Sequence, residues 1–411
     1  MNNKLVVKIS LFINYFVFAI LLNSVGTVIL QVQRNYDITK SAASVLEGFK
    51  DLPIAIASFL LASLLPKIGL KRSMLTGLAL VTLTCAVMPY ANDFWYFKLL
   101  FFVIGVSFAL IKVTVFATIG LITKDTQEHS SFMSSIEVFF MIGVLLGNYL
   151  FSLFVNDSNP KSTEWLQIYW LLSALSLAAF LLLFFTKLDE SKAKIENTSL
   201  QEDFVAMLKL IALPLVLVFI AGVFLFVLIE QSFQTWTPTF YKEILAVPSS
   251  MAIQAGAVLA GAFAIGRFSA GLILKKINWF YVVVGCVVGA ATLVLLSLPL
   301  SEGLTITDDI SWSNAPLVVY VFPLMGIFLA PIYPTINSVI LSSLPEHQHS
   351  SMSGLIVVFS ALGGTTGSII TGNVFERFDG QTAFYLSLIP MVLLLVVIIF
   401  FRKYANIPAK G

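Results

Sequence analysis

Long apolar segments separated by short polar stretches run through the whole chain. Each segment is close to the roughly 20 residues that a helix needs to cross a bilayer. The pattern therefore predicts an all-α membrane protein with twelve transmembrane helices. These predicted spans cover residues 7–31, 41–65, 73–90, 95–122, 132–155, 165–186, 210–236, 251–274, 279–298, 316–343, 352–373 and 383–401.

A polar interruption near the middle divides the spans into two equal sets. It runs from Lys187 to Lys209, with six predicted spans before it and six after it. We therefore expect an N-terminal six-helix half over residues 1–186, a linker over 187–209 and a C-terminal six-helix half over 210–411.

The composition excludes a water-soluble protein. Only 11% of the residues are charged and 58% are hydrophobic, whereas about 25% of the residues of a soluble domain are charged. The net charge of +2 gives no indication of nucleic-acid binding. Both cysteines, Cys85 and Cys286, lie in apolar segments, so no disulfide is implied. The first span is too long for the apolar core of a cleavable signal peptide.

Basic residues indicate which ends of the spans face the cytoplasm. If both termini are inside, the inner loops and ends hold most of the Lys and Arg, among them Lys71, Arg72, Lys275 and Arg402. Loops rich in these residues stay on the cytoplasmic side of a membrane. We expect both termini and the linker to be cytoplasmic and the protein to lie in the inner or plasma membrane.

The two halves repeat each other in three places. The matching segments are 23–27 with 231–235, 105–114 with 326–335, and 129–134 with 349–353. They pair spans 1, 4 and 5 with spans 7, 10 and 11, in the same order. A parallel six-plus-six repeat of this kind places a solute site between the halves, near the membrane midplane.

With these repeats, the chain resembles the major facilitator superfamily along its whole length. The loop after span 2 is similar to the superfamily's signature there, in which an acid and an Arg precede a Gly and a basic pair. Pro66 stands at the position of the acid. The resemblance implies a gating loop, formed by Lys67, Gly69, Lys71 and Arg72, and a protein that works as a monomer.

Within the superfamily the sequence is most similar to the fucose permease type. The similar stretches are Gly266-Arg267-Phe268 in span 8, Tyr333-Pro334-Thr335 in span 10, and Asn23 with the following Gln31-Val32-Gln33 in span 1. This resemblance implies symport of a sugar with a proton. Two acids of that family are replaced, since Gly26 stands in span 1 and the position in span 4 falls near Ala109.

Ionisable residues inside the spans are candidates for the chemistry, because a charge at a helix centre costs about 2.5–3.5 kcal/mol on insertion scales. Lys112 lies in span 4 and is expected to face the central path with its repeat partner Tyr333. It either binds an anionic group of the solute or forms an internal ion pair.

Span 2 carries a second group of charges. Asp51 is the deeper acid and is expected to meet Lys112 and to carry a proton if it is buried. Glu47 shares a helix face with Lys50 and with Asp51. The alternative is that Glu47 and Lys50 are solvated at the outer mouth.

Three more residues are candidates for coupling to protons. Glu137 in span 5 either gates the cytoplasmic side, pairs with Lys112 or lies solvated at the surface. Glu230 begins a polar stripe in span 7. It either carries a proton or is solvated at the periplasmic end of the span. Arg267 in span 8 has either a coupling role or a structural one, through a bidentate contact with a carboxylate.

Polar and aromatic residues on the spans that line the path are candidates for solute binding. Gln231, Gln234 and Trp236 continue the stripe in span 7, and Asn23 and Asn337 lie in spans 1 and 10. The sequence shows no phosphate-binding loop, no metal-ligand cluster and no catalytic set, so neither an enzyme nor a cofactor is expected.

These observations predict a secondary active transporter that moves a small polar, sugar-like solute by alternating access, with proton symport or, alternatively, sodium coupling. Lys112 favours a second possibility, an anionic sugar acid or carboxylate. Efflux of amphipathic compounds is a third. A receptor or scaffold that transports nothing is the alternative from a different class.

Overall fold

The computed structural model describes residues 3–123, 126–188, 190, 200–301, 310–345 and 348–405. Most of them are helical, and no strand occurs in these ranges. The helices are α1 (Asn3–Asn23), α2 (Val25–Asn35), α3 (Lys40–Ile68), α4 (Leu70–Val87), α5 (Phe94–Ile122), α6 (Thr126–Leu153), α7 (Ile168–Phe185), α8 (Leu200–Ile211), α9 (Pro214–Glu243), α10 (Ser249–Ile273), α11 (Trp279–Ser297), α12 (Leu317–Val321), α13 (Met325–Leu329), α14 (Ile332–Ser342), α15 (His349–Arg377), α16 (Gly380–Tyr385) and α17 (Leu388–Ala405).

Twelve helical units in this part of the chain are long enough to cross a bilayer. Eleven of them are also apolar throughout a window of transmembrane length. The twelfth, α3, has 29 residues, which corresponds to about 44 Å at 1.5 Å per residue. The predicted all-α fold with twelve spans is confirmed.

Three spans are interrupted, span 1, span 10 and span 12, the last between α16 and α17. The first two breaks lie where the sequence weakens the helix. Span 1 breaks at Ser24, whose hydroxyl donates to the carbonyl oxygen of Leu21 at 2.8 Å, a local bond that competes with the helical ladder. Span 10 is divided into α12, α13 and α14, with Pro323 and Pro331 at the junctions. Proline has no N–H to donate and therefore breaks the hydrogen-bond ladder.

Six spans lie on each side of the predicted linker. Residues 189 and 191–199 of that linker lie outside the described residues, whereas α8 forms its last part and precedes α9. Because each half has an even number of spans, the start of α1, the end of α17 and helix α8 lie at one end of the bundle. We call this end the linker end and the opposite one the far end.

The two halves pack together along three helix pairs, α3 with α15, α6 with α10, and α2 with α9. The backbones approach closely in the third pair. A Cβ on Gly26 would lie 2.6 Å from the carbonyl oxygen of Thr235. Only glycine permits this approach, so the position where the resembled family has an acid is occupied here by a packing residue.

Polar contacts between the halves cluster at the far end. Lys40 forms an ion pair with Glu243 at 3.1 Å. The backbone N–H of Ser41 donates to Glu376 at 2.7 Å, and its hydroxyl donates to the Oδ1 atom of Asn373 at 3.0 Å. Further contacts are Arg34 with Ser249, Asp157 with Ser250 and Gln254 with Ser152. These contacts close the space between the halves at the far end.

The linker end holds a cavity between the halves instead. Its volume is about 350 Å³, and it is bounded by α3, α5, α8 and α15. Ser58 and Phe116 line it from the N-terminal half, and Met207 and Gly354 line it from the other side. The structure therefore has one closed end and, at the other end, a cavity between the halves.

Candidate functional site

A buried cluster of charged and polar side chains joins the two halves near the middle of the bundle. Glu47 of α3 is its centre. The Nε2 atom of Gln231 donates to Glu47 Oε1 at 2.6 Å, and the hydroxyl of Thr235 donates to Glu47 Oε2 at 2.9 Å. Both donors belong to α9 in the opposite half. We call Glu47, Lys50, Asp51, Gln231 and Thr235 the central cluster.

Lys50 is the cation of the central cluster. Its Nζ atom forms an ion pair with Glu47 one turn earlier on α3, and it lies 3.6 Å from Asp51 Oδ1. The side chains of Lys50 and Glu47 are 7% and 0% exposed. The alternative that these two residues are solvated at an outer mouth is therefore wrong. Their i,i+3 spacing places both on the helix face that packs against the other half.

Asp51 lies at the contact between α3 and α15. A Cβ on Gly364 of α15 would lie 2.6 Å from Asp51 Oδ2 and 3.1 Å from the Cγ atom of Gln231. The absent side chain at Gly364 thus leaves the space that the carboxylate occupies. The Asp51 side chain is 13% exposed, so this carboxylate is the more accessible one in the central cluster.

The charges of the central cluster do not balance. Two carboxylates, Glu47 and Asp51, share the single ammonium of Lys50. Removing charges from water costs several kcal/mol per ion, and a buried excess charge is costlier than a pair. A cluster with two acids and one base becomes neutral when it takes up one proton.

Replacing Gly364 with alanine tests whether this packing matters for the central cluster. The added methyl group would overlap Asp51 Oδ2, so we expect Gly364→Ala to lower solute transport severely and to destabilise the fold by about 1–3 kcal/mol. Transport in reconstituted vesicles and thermal unfolding of the purified protein measure the two effects. The matched control is Gly271→Ala in α10, because a Cβ there meets no atom within 4 Å. Equal behaviour of the two variants would contradict the packing argument.

A cavity lies beside the central cluster, between α1, α2, α3, α6, α9 and α10. Its volume is about 100 Å³, smaller than the roughly 300–1,000 Å³ of most small-molecule sites. The solute would therefore have to widen it. Its polar lining side chains are Asn23, Thr27, Lys50, Asn148, Gln231, Gln234, Thr235 and Arg267. We call this space the central cavity.

The break in span 1 contributes directly to this cavity. Leu22 and Asn23 before the break, and Val25, Gly26 and Thr27 after it, all line the space. Irregular backbone at membrane depth is tolerated where it lines a cavity. The interruption of span 1 is therefore part of the site.

Three of the expected solute-binding residues lie together in the central cavity. Asn23, Gln231 and Gln234 line it, and so does Arg267, which was expected to act in coupling. Trp236 lies elsewhere. Its side chain is 0% exposed, its indole N–H donates to the carbonyl oxygen of Ser368 at 3.1 Å, and its ring stacks on Phe375.

Lys112 and Tyr333 are not part of the central cavity lining. Lys112 Nζ lies 5.9 Å from the centre of the Phe108 ring. The carboxylate of Glu137 is close enough to attract it electrostatically. Lys50, and not Lys112, accompanies Asp51. The Tyr333 hydroxyl lies 3.1 Å from that of Ser360, and Asn337 follows one turn later on α14.

Glu137 and Glu230 lie apart from the central cluster. Glu137 is exposed and Glu230 is half-buried. Arg267 is close enough to Glu230 to attract it electrostatically. Neither acid lines the central cavity. Each half therefore carries one acid near a basic residue, Glu137 with Lys112 and Glu230 with Arg267.

The predicted gating loop makes contacts with the start of the linker. The carboxylate of Glu190 accepts hydrogen bonds from the backbone N–H groups of Leu70 at 2.9 Å and Lys71 at 2.8 Å. An acid from the linker thus lies at the start of α4, where a negative charge is favoured. Gly69 has a φ of 84°, a conformation in which a side chain is strained.

The basic residues of this loop are placed differently. Lys71 Nζ donates to the carbonyl oxygens of Phe184 and Thr186 at 2.8 and 2.7 Å. Arg72 lies exposed at the start of α4. The Lys67 side chain is outside the described residues.

The sequence assigned no specific binding or coupling role to Glu47, Lys50, Asn148 or Thr235, which the structure places in the central cluster or the central cavity. The signal for Glu47 and Lys50 was present in the sequence. Burying a Glu and a Lys in an apolar membrane helix costs stability, so such a pair indicates a function. Thr235 and Asn148 gave no such signal, since single polar residues are common on membrane helices.

A family model described as the Major Facilitator Superfamily matches residues 11–364 and 303–411. No curated protein sequence matches the chain significantly. Among solved structures, a bacterial homologue of the human lysosomal transporter Spinster, inward-facing and unoccupied, has a TM-score of 0.75 at 12% identity, covering 98% of this chain and 96% of that one.

Two sugar symporters have the same fold. A D-xylose–proton symporter has a TM-score of 0.74 at 12% identity, with 99% of both chains covered. The fucose:proton symporter of E. coli has a TM-score of 0.62 at 17% identity, covering 99% of this chain and 100% of that one.

Proposed function

Because the chain belongs to the Major Facilitator Superfamily, we propose that this multi-pass membrane protein is a secondary active transporter of a small polar solute. The observation that carries the proposal is the central cavity. It lies between the two halves and is lined by the amide side chains of Asn23, Asn148, Gln231 and Gln234. Amides donate and accept hydrogen bonds, as binding of a hydroxylated solute requires.

The proposed mechanism is alternating access. The halves, residues 1–186 and 210–411, would rock about the central cavity while the linker, residues 187–209, keeps them joined. The far-end contacts and the linker-end cavity of about 350 Å³ correspond to a state closed on one side. In the opposite state the far-end contacts would be broken and the linker end closed.

We propose coupling to one proton at the central cluster. Its two carboxylates and one ammonium need one proton for neutrality, and Gln231 and Thr235 connect this charge balance to the opposite half. Asp51 is the proposed carrier because it is the more accessible acid. Glu137 and Glu230 are further candidates, and sodium is the alternative ion.

The proposed orientation has both termini and the linker in the cytoplasm, with the protein in the inner membrane as a monomer. Basic residues at the linker end support it. The state with a closed far end is then inward-facing. The gating loop, with Lys71 bound to the end of α7, would be on the cytoplasmic side.

A second candidate function, efflux of amphipathic compounds, is supported by one observation. An apolar groove of about 640 Å³ lies between α3, α5 and α15. A receptor that transports nothing is disfavoured. The buried charges of the central cluster reduce the stability of the protein, and a protein that moves no solute has no use for them. A solute panel in counterflow across reconstituted vesicles distinguishes these functions, and failure of every polar solute to exchange would overturn the proposal.

Replacing Asp51 with asparagine is expected to uncouple transport from protons. One pH unit of gradient supports about tenfold accumulation per transported proton. Asp51→Asn should lose this accumulation and keep counterflow, which needs no proton gradient. Asp93→Asn, an exposed cap of α5 at the far end, is the control. Accumulation equal to that of the unmodified protein would exclude Asp51 as the carrier.

A further inference from the structure

Two basic side chains line the central cavity, Lys50 and Arg267, and no carboxylate is part of its lining. Lys50 is already neutralised, because Glu47 and Asp51 accompany it. Arg267 is different. In the part of the chain that the structure describes it forms no ion pair, and its guanidinium lies 3.5 Å from the thioether of Met141, which is a weak acceptor.

The position of Arg267 gives its guanidinium access to both halves. It lies in α10, and Met141 belongs to α6 of the other half. A Cβ on Gly271, one turn further along α10, meets no atom within 4 Å. Arg267 itself is exposed, so its guanidinium is accessible to a solute.

Glu230 is the acid that could neutralise Arg267 within the protein. It is close enough to Arg267 to attract it electrostatically. However, it forms no direct ion pair among the described residues and does not line the central cavity. The planar donor fork of arginine suits bidentate contact with a carboxylate. An uncompensated arginine on a cavity wall therefore has the chemistry of an anion site.

We infer that the solute carries one carboxylate and that Arg267 binds it in the central cavity. The inference rests on the proposed transport function and narrows its substrate to a hydroxylated monocarboxylate, such as a hexuronate. One uncompensated cation calls for one anionic group. The amides of Asn23, Asn148, Gln231 and Gln234 would bind the hydroxyl groups.

This assignment differs from the one that the sequence suggested. Lys112 was the expected anion site, but it lies outside the central cavity lining, over the ring of Phe108. An anion held by Lys112 would be on one half alone, whereas an anion held by Arg267 would lie between the halves. A solute that must drive their movement needs contact with both.

The test is binding of matched acid and neutral solutes to the purified full-length protein, measured by calorimetry. The pairs are D-glucuronate with D-glucose and D-galacturonate with D-galactose, which differ in a single carboxylate. We expect an acid to bind more tightly than its neutral partner and Arg267→Gln to weaken the acid about ten- to hundredfold, the range for a hydrogen bond to a charged group. Arg267→Lys should retain part of the affinity.

Two further variants make the result specific. Lys275→Gln removes a basic residue beyond the end of α10 and outside the central cavity, and it should bind like the unmodified protein. Glu230→Gln removes the competing acid and should bind the uronate more tightly. A monodisperse profile in size-exclusion chromatography shows that each variant is folded.

Several outcomes would overturn the inference. They are tighter binding of the neutral sugars, binding of no acid in the set, or loss of acid binding in Lys112→Gln and not in Arg267→Gln. Neutral-sugar counterflow in vesicles that Arg267→Gln leaves intact would overturn the anion site and leave the transport function standing. Absence of any solute counterflow would instead count against the transport function.

Discussion

Replacing Lys50 with methionine is expected to remove solute transport and to destabilise the protein by about 3–5 kcal/mol, the cost of removing one partner of a buried ion pair. The variant leaves Glu47 and Asp51 as two buried acids without a cation. Methionine retains much of the apolar stem of lysine, so the effect reports on charge and not on lost volume. Thermal unfolding of the detergent-purified protein and uptake in vesicles measure the two results.

The double variant Glu47→Gln with Lys50→Met provides the decisive comparison. It removes one acid with the base, and we expect it to recover most of the lost stability while transport stays low. Lys98→Met is the matched control, because this lysine of α5 contacts the ring of Phe94 at 4.8 Å and forms no ion pair among the described residues. If Lys50→Met unfolds at the same temperature as Lys98→Met, the charge balance of the central cluster does not support the fold.

A cysteine pair across the far end is expected to abolish transport completely when it is oxidised. Asp157→Cys with Ser250→Cys joins positions that already form a hydrogen bond between the halves. Alternating access requires these positions to separate, so the crosslink should hold the protein in the state closed at the far end. The background replaces Cys85 and Cys286 with alanine, and a reducing agent should restore uptake.

The control crosslink stays within one half. Asn156→Cys with Glu164→Cys joins two residues of the N-terminal half whose side chains are 3.0 Å apart. Its oxidation should leave uptake unchanged. Undiminished uptake by the oxidised Asp157–Ser250 pair would mean that the halves do not separate at the far end during transport.

The number of the spans could be predicted from the sequence because each span is a local property. About 20 consecutive apolar residues must form a helix in a bilayer, where every backbone polar group needs an internal partner. This holds even for α3, which carries Glu47, Lys50 and Asp51. The breaks in spans 1 and 10 were not predicted, although Pro323 and Pro331 gave a signal for the second.

The solute site could be predicted only in part. Asn23, Gln231 and Gln234 were expected in the path and lie together in the central cavity. Trp236 belongs to the same polar stripe of span 7, but its side chain packs against α15. Consecutive residues of a helix point about 100° apart, so a stripe in the sequence does not tell which of its members face the opposite half.

The sequence by itself determined the membrane class, the twelve spans, the two-half repeat and the presence of ionisable residues inside the membrane. Only the tertiary structure decided which charges meet. Lys50 and not Lys112 lies beside Asp51, Glu47 binds Gln231 and Thr235 of the other half, and Arg267 remains on the cavity wall. The physical reason is that burial in a bilayer follows from local apolarity, whereas the partner of a charge depends on the rotation and packing of helices far apart in the chain.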